Sequence, residues 1–492
     1  MAVKDNISTT TTTSSPTSTS EALATATTTT CASRFLSNYR APIEATVVSQ
    51  LRARGAIVTA KTNLDEFGMG SHSVHSYFGP VAQTMEGAFG SSSRVHYSAG
   101  GSSGGSAVAV QTGEVDLALG TDTGGSVRLP AAYTGVVGYK PSYGMISRYG
   151  VVPYANSLDT VGFLARSTAR IADLVTGKGG LWREDDPKDP TSIGRRTRQR
   201  LTAAREGYGG TDALDREGPL RGMVFGWPVE YNIAELEGVV RKTWLAAAKR
   251  LHSLGARVVP VSLPTTRHAL SAYYIIAPAE ASSNLAKFDG VRYGQRAAVA
   301  ETQGDAAGGG VLYAASRSAG FGKEVKRRIL LGSYTLSSEA MDNYFLKAQA
   351  VRRLVRRDFD RVLRLENPLV DEQAPFDLSD MAEQVPLDDK RGPAQVDFLL
   401  CPTAPTRAPK LEDVEKGDVV DAYTNDVFTV PASLAGLPAI SIPVAVPTEK
   451  GQAGFVGLQL IGQYWDDARL LKAAGHVMAE VRELELSEGV AM

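Results

Sequence analysis

Two glycine-serine loops hold the residues best suited to covalent chemistry in this chain: Gly100-Gly101-Ser102-Ser103-Gly104-Gly105 and Gly124-Gly125-Ser126. Ser102 and Ser126 stand 24 residues apart, with the apolar run Leu117-Ala118-Leu119-Gly120 between them, so the loops meet if that run is one strand of a sheet. Glycine lets backbone N–H groups approach a ligand closely and take positive φ. Thr123, Gly124, Gly125 and Ser126 can therefore aim several donors at one developing oxyanion. On composition alone the same loops also read as flexible turns or a phosphate cradle.

A serine hydroxyl is a weak nucleophile until a neighbouring base takes its proton. The six histidines offer no Ser-His-Asp set that can be placed, and a lysine serves as base only where burial or nearby positive charge destabilises its ammonium. Lys4, in Val3-Lys4-Asp5-Asn6, reads by position alone as a solvated residue at a frayed terminus. That tetrapeptide, the segment GGSSGGSA and the following ALGTDTGGSVRLPAAYTGVVGYKPS together resemble the amidase signature family. The resemblance implies a Ser-cisSer-Lys triad, with Ser126 as nucleophile, Ser102 as a bridging serine at a cis peptide, and Lys4 as base. It also implies one α/β domain over residues 1–492, the amidase signature fold, in which α-helices cover a large mixed β-sheet core.

Within that family the chain is most similar to the glutamine-hydrolysing A-type components of glutamyl-tRNA(Gln) amidotransferases, through ATVVSQLRARGAIVTAKTNLDEFGMGS, EASSNLAKFDGVRYG, EVKRRILLGSYTLSS and TNDVFTVPASLAGLPAISIP. This implies a glutamine site made of Tyr273, Arg328 (or its neighbour Arg327) and Asp426. Their chemistry suits a free amino acid: a guanidinium grips an α-carboxylate bidentately, a carboxylate pairs with the α-ammonium, and a phenol orients the side-chain amide. The resemblance further implies that ammonia passes to a B subunit, assisted by a small C-type or fungal-type subunit, for ATP-dependent conversion of Glu-tRNA(Gln) to Gln-tRNA(Gln). The sequence has no Walker-type phosphate loop, so ATP and magnesium are assigned to the partner and no cofactor to this chain. Mitochondria are the implied compartment, with the cytoplasm as alternative. Two other readings are a stand-alone amidase of the same family and a catalytically inactive scaffold subunit.

Other polar residues read as structural. Asp122 and Arg128 flank the nucleophile loop and are expected to hold its shape as an ion pair. His72 and His75 have a spacing that fits one helical face, but two histidines without a third ligand make no metal site, and none is expected. A net charge of −1 argues against autonomous binding of nucleic acid. The arginines at 195–200 and 352–361 are expected on solvated faces or at partner contacts. Only Cys31 and Cys401 are present, far apart and consistent with a reducing compartment, and no apolar run reaches the ~18 residues of a membrane span.

Positioning these groups requires alternating strands and helices. Residues 44–55 read as a helix ending at Gly55, followed by a strand Ala56-Ile57-Val58-Thr59. Val240, Trp244, Ala247 and Leu251 recur at helical spacing ahead of Gly255 as C-terminal cap and a strand at 257–261; Ala348, Val351, Val355, Phe359 and Val362 mark another helix. From Ser8 to Thr30, 17 of 23 residues are Ser or Thr, so 8–33 reads as a low-complexity insertion, and 182–218 and 366–395 as polar surface insertions. Members of the family carry several dozen helical residues before the lysine motif, which here begins at residue 3; that difference predicts a weakly anchored Lys4.

Overall fold

Strands fully buried on both faces, such as LALGTD and TVGFLA, belong at the centre of a sheet that helices cover from both sides. In the computed structural model of the chain, which describes residues 1–10, 28–84, 95–206, 214, 218–297, 313–369, 395–447, 453–482 and 484, they do. The strands are β1 (Ala2–Lys4), β2 (Ala60–Thr62), β3 (Ala82–Thr84), β4 (His96–Ser98), β5 (Leu117–Asp122), β6 (Val137–Lys140), β7 (Thr160–Ala165), β8 (Val224–Pro228), β9 (Arg257–Val261), β10 (Phe398–Pro402), β11 (Ala439–Pro447) and β12 (Ala453–Ile461). Ten form one sheet in the order β2-β1-β5-β7-β6-β11-β12-β10-β8-β9, and β3 and β4 form a separate pair. β1 is parallel to both neighbours and β8 to both of its own, while the remaining pairs are antiparallel. This is the mixed α/β sheet that the resemblance implies.

Lys4 is not weakly anchored. It ends β1, whose residues pair with β2 on one side, Lys4 opposite Thr62, and with β5 on the other; its side chain is fully buried. Strand pairing on both edges supplies the rigidity that position in the sequence did not suggest.

The ends of the Ser/Thr-rich stretch also belong to the body of the protein. Ser8, Thr9, Thr29 and Thr30 are buried. The reason is Lys61, whose Nζ donates to Ile7 O at 2.8 Å, Thr28 O at 2.9 Å and Thr29 Oγ1 at 3.2 Å and pairs with Asp5 Oδ1 at 3.1 Å. Residues 11–27 lie outside the described residues.

Three other expectations need correction. The helix Thr46–Ala53 stops ahead of Gly55 as expected, but the strand begins at Ala60, and Ile57 is 73% exposed. β2 is the edge strand, with no further strand to cover the apolar Ala56–Val58 run. Within 182–218, the helix Arg195–Glu206 buries Leu201 and Arg198, and the Arg198 guanidinium donates to the carbonyls of Trp182, Gly144 and Met145. Arg352 likewise donates to Leu434 O and Ser157 O, and Arg361 to Ser262 O. Arg198, Arg352 and Arg361 thus satisfy carbonyls of the protein body, while Arg195, Arg196, Arg200 and Arg353 are exposed, as expected. Of the insertion expected at 366–395, residues 370–394 lie outside the described residues. The helices Gly238–Ser253 and Phe345–Val362 form where the periodicity predicts, with Gly255 at φ 86° and β9 following.

Candidate active site

The lysine and both serine loops converge at the ends of β1 and β5. Lys4 Nζ lies 2.7 Å from Ser102 Oγ, 2.8 Å from Ser103 Oγ and 2.9 Å from Thr121 Oγ1. The Ser103 hydroxyl donates to Thr121 O at 3.2 Å, so its oxygen is left to accept from Lys4. Asn6 Nδ2 donates to Thr121 Oγ1 at 3.1 Å. A neutral amine has two N–H bonds and one lone pair. With Ser103 Oγ and Thr121 Oγ1 accepting those two hydrogens, a neutral Lys4 would have its lone pair free to accept from the Ser102 hydroxyl.

Burial drives Lys4 in the same direction, pushing its pKa from 10.5 down to about 7, while Asp65, Asp122 and Asp159 partly restore it. The amine loses its proton as pH rises through that value, so the neutral base is present above about pH 7 and lost below it. We expect kcat/KM to climb about tenfold per pH unit below neutrality and to level off above it. Asp426, raised to about 6 by burial, ionises in the same direction and should steepen the acid limb. A profile flat through this range would remove Lys4 from the role of base.

The residues on either side of Ser102 lie against the Ser126 backbone. The Ser103 N–H donates to Ser126 O at 3.1 Å, and a Cβ at Gly101, which has φ 50°, would stand 3.2 Å from Ser126 Cα and 2.5 Å from Pro130 Cδ. Only glycine fits there. No peptide bond among the described residues is cis; the cis peptide implied for Ser102 is absent, and Gly100 and Gly101, both at positive φ, turn the chain instead. Ser126 is half-buried, and the N–H groups of Gly124, Gly125 and Ser126 donate to no group among the described residues. Those amides, with Thr123 at the start of the loop, are the donors considered for an oxyanion.

The loop's shape is fixed from behind. Arg128 is fully buried and grips Asp122 through Nε at 3.0 Å and Nη2 at 2.8 Å, while Nη1 donates to Thr429 O and Gln459 Oε1. Asp122 Oδ2 also accepts from Val127 N–H at 3.2 Å. Burial alone would raise the Asp122 pKa, but the Arg128 charge and hydrogen bonds outweigh it and hold the carboxylate below its usual value. Thr123 Oγ1 donates to Asp159, which also accepts from the N–H groups of Tyr154 and Ala155.

Tyr273 and Asp426 lie against the same loop, and Arg328 lies beyond them among a group of tyrosines. A Cβ at Gly124 would meet Tyr273 Oη at 2.7 Å, and one at Gly125, which has φ 151°, would stand 3.3 Å from Asp426 Oδ1. Asp426 Oδ2 accepts from Ser71 Oγ at 2.9 Å and Tyr274 Oη at 3.0 Å. Arg328 is buried, donates to Glu324 Oε1 at 2.7 Å and Tyr154 Oη at 2.6 Å, and lies over the rings of Tyr154, Tyr274 and Tyr423. Arg327 points outward with its side chain 42% exposed, so of the two arginines only Arg328 is buried among the tyrosines beside Tyr273.

His72 and His75 are on a loop, not a helix. His72 is wedged between Ser98 Oγ and Asn425 Nδ2, both at 2.9 Å, and burial lowers its pKa to about 4; with Ser71 it holds the Asn425-Asp426 pair in place. Among the described residues no three His, Cys, Asp or Glu side chains cluster around a metal position, and no helix is long and apolar enough to cross a membrane. Cys31 and Cys401 are free and buried. Sequence reasoning missed Ser103, Thr121, Tyr154, Tyr274, Tyr423 and Glu324. Ser103 adjoins Ser102, Tyr274 adjoins Tyr273 and Glu324 lies one helical turn before Arg328, so these were within reach of spacing arguments; Tyr154 and Tyr423 arrive from distant segments.

A sequence profile described as Amidase matches residues 1–471. The chain is 64% identical to the A component of the mitochondrial glutamyl-tRNA(Gln) amidotransferase of Podospora anserina, over 98% of this chain and 89% of that one. It is 63% identical to the protein of the same description from Neurospora crassa, over 98% and 90%. Its fold is similar to the crystal structure of the A component of glutamyl-tRNA(Gln) amidotransferase from Thermotoga maritima, with TM-score 0.68 and 33% identity, covering 98% of this chain and 86% of that one.

Proposed function

We infer the reaction from one premise, that this chain belongs to the amidase family: it hydrolyses glutamine as one subunit of a mitochondrial glutamyl-tRNA(Gln) amidotransferase. The observation that supports this chemistry is a buried Lys4 of lowered pKa hydrogen-bonded to Ser102, with Tyr273 and Asp426 packed against Gly124 and Gly125 of the 123–126 loop.

In the proposed mechanism Arg328 binds the α-carboxylate, Asp426 the α-ammonium, and the Tyr273 hydroxyl orients the carboxamide. Ser126 Oγ attacks the amide carbon as its proton passes to Ser102 and the Ser102 proton to Lys4. The oxyanion is held by the amides of the 123–126 loop. As the C–N bond breaks, the proton returns from Lys4 through Ser102 to the departing nitrogen, which leaves as ammonia. A γ-glutamyl ester remains on Ser126, and water, deprotonated by the same relay, cleaves it to glutamate. A B subunit with a small C-type or fungal-type subunit would use the ammonia, with ATP and magnesium, on Glu-tRNA(Gln); this chain itself requires no cofactor for the steps above.

A stand-alone amidase would have no use for Arg328 and Asp426, which gives the test. Arg328→Ala and Asp426→Ala should each raise KM for glutamine, since each leaves one charge of the amino acid unpaired, at roughly 2–5 kcal/mol for a buried pair. Arg328→Lys should recover little because an ammonium lacks the planar fork. Small neutral amides should be poor substrates and indifferent to these changes. Normal glutamine KM in all three variants, or a wild-type preference for small amides, would sink the reading.

A further inference from the structure

The peptide plane between Gly124 and Gly125 has a glycine at each end, so no side chain of its own resists rotation. Among the described residues one donor reaches its carbonyl: Thr429 Oγ1, 2.6 Å from Gly124 O. That hydroxyl also stands 3.1 Å from Asp426 O, but it has a single hydrogen to give, and the nearer oxygen takes it. Thr429 precedes helix Val430–Ala435, a position where threonine ordinarily turns its oxygen to a backbone N–H of the first turn; here the side chain caps no such N–H. Thr429 is fully buried, and it approaches the loop so closely that a Cβ at Gly125 would stand 2.2 Å from its Oγ1.

In a trans peptide the N–H points opposite to the C=O. With Gly124 O held by Thr429, the Gly125 N–H is turned away from Thr429, and it has no acceptor among the described residues. The next plane is pinned in the same manner: Gly125 O accepts from the Leu129 N–H at 2.8 Å, which turns the Ser126 N–H away from helix Arg128–Thr134. We propose that Thr429 is a positioning residue of the oxyanion site, whose hydroxyl holds the Gly124–Gly125 plane so that the Gly125 and Ser126 N–H groups face the substrate carbonyl oxygen together. The proposal rests on the glutaminase reading above for its substrate and on the backbone geometry for its chemistry. Without the hydroxyl the plane is free to turn over, which removes one donor and brings the Gly124 oxygen toward the developing negative charge. The placement also joins binding to chemistry: Asp426, the partner given to the α-ammonium, lies three residues before Thr429 and accepts its N–H at 3.1 Å.

The test uses the assembled amidotransferase with Thr429→Val, Thr429→Ala or Thr429→Ser. The first two lack the hydroxyl at different volumes, and in both kcat for glutamine should fall at least about 100-fold, the cost of one lost oxyanion donor, with KM within about threefold of wild type. Thr429→Ser should keep kcat within about fivefold of wild type. The matching readout is the boronic acid analogue of glutamine, which carries boron in place of the carboxamide carbon. Ser126 Oγ bonds to the boron, its proton passes to Lys4, and the tetrahedral anion that results uses the same two donors. Its inhibition constant should rise in parallel with the loss of kcat, whereas that of glutamate, which forms no such adduct, should stay unchanged. Ammonium-dependent formation of Gln-tRNA(Gln) should be normal in every variant, so that a loss of kcat is not one of folding or assembly. Wild-type kcat in Thr429→Val and Thr429→Ala overturns the proposal. So does a loss that weakens glutamate as much as the boronate, or one that Thr429→Ser shares in full, because the hydroxyl is then not what the site uses. If the wild-type enzyme prefers small neutral amides to glutamine, the glutamine reading fails alone, and kcat of the same variants on those amides decides this proposal.

Discussion

Ser126→Ala is expected to lower glutamine hydrolysis by at least about three orders of magnitude while leaving the fold and the assembly of the complex unchanged. The alanine removes the only atom that forms a bond to substrate in the proposed mechanism, and the loss of a covalent route is not made good by the remaining binding groups. The backbone should not move, because the loop is held by Gly125 at φ 151° and by the Asp122–Arg128 pair behind it, none of which involves the Ser126 side chain. In the assembled enzyme, ammonium salts with ATP should still support formation of Gln-tRNA(Gln), since free ammonia bypasses everything Ser126 does. Ammonia release from glutamine at near wild-type rate would dismiss Ser126 as nucleophile. Failure of the ammonium rescue, with the partner's ATP hydrolysis intact, would count against the amidotransferase assignment.

The second large effect concerns stability. Arg128→Met keeps much of the side-chain volume but leaves Asp122 buried with no counter-charge, and breaking a fully buried pair costs about 3–5 kcal/mol. Gln459 Oε1 and Ser433 Oγ lose their Arg128 donor in the same step, and Thr429 O keeps only the Ser433 N–H. The denaturant midpoint of the variant should fall accordingly. Asp122→Leu combined with Arg128→Met should regain part of the loss, because the unpaired charge is gone, yet the double variant should remain inactive, since Asp122 also accepts the Val127 N–H that shapes the nucleophile loop. An Arg128→Met chain with the wild-type midpoint would show that the pair contributes nothing net.

What was legible in the sequence follows from how local each signal is. Ser102 and Ser126 sit in contiguous motifs, and the strand between them, β5, is a plain apolar run, so their meeting could be argued from the chain alone. The helix Gly238–Ser253 declared itself by spacing and its glycine cap. Helix Lys323–Thr335 shows the opposite case: Leu330, Leu331 and Tyr334 lie outside, while Glu324 and Arg328 are inside, satisfied by each other and by Tyr154 and Tyr423 from two distant segments. Hydrophobic periodicity cannot foresee a helix whose buried stripe is built around an ion pair. The orientation of Lys4 by Ser103 and Thr121 was equally hidden, because it depends on which hydroxyl has already given away its proton. The strand at Ala60 was displaced from the apolar run at Ala56 because an edge position leaves that run uncovered.

Lys61 gives the protein a property beyond catalysis. By binding Ile7 O on one side of the Ser/Thr-rich stretch and Thr28 O on the other, it fixes the two ends at a set separation, whatever chain runs between Thr10 and Thr28. Lengthening a loop whose ends are already fixed is inexpensive, about 0.6 kcal/mol for each doubling. The stretch that follows Lys4 is therefore a place where a fluorophore-bearing peptide or an affinity tag can be grafted without moving that lysine, giving a reporter close to it in sequence.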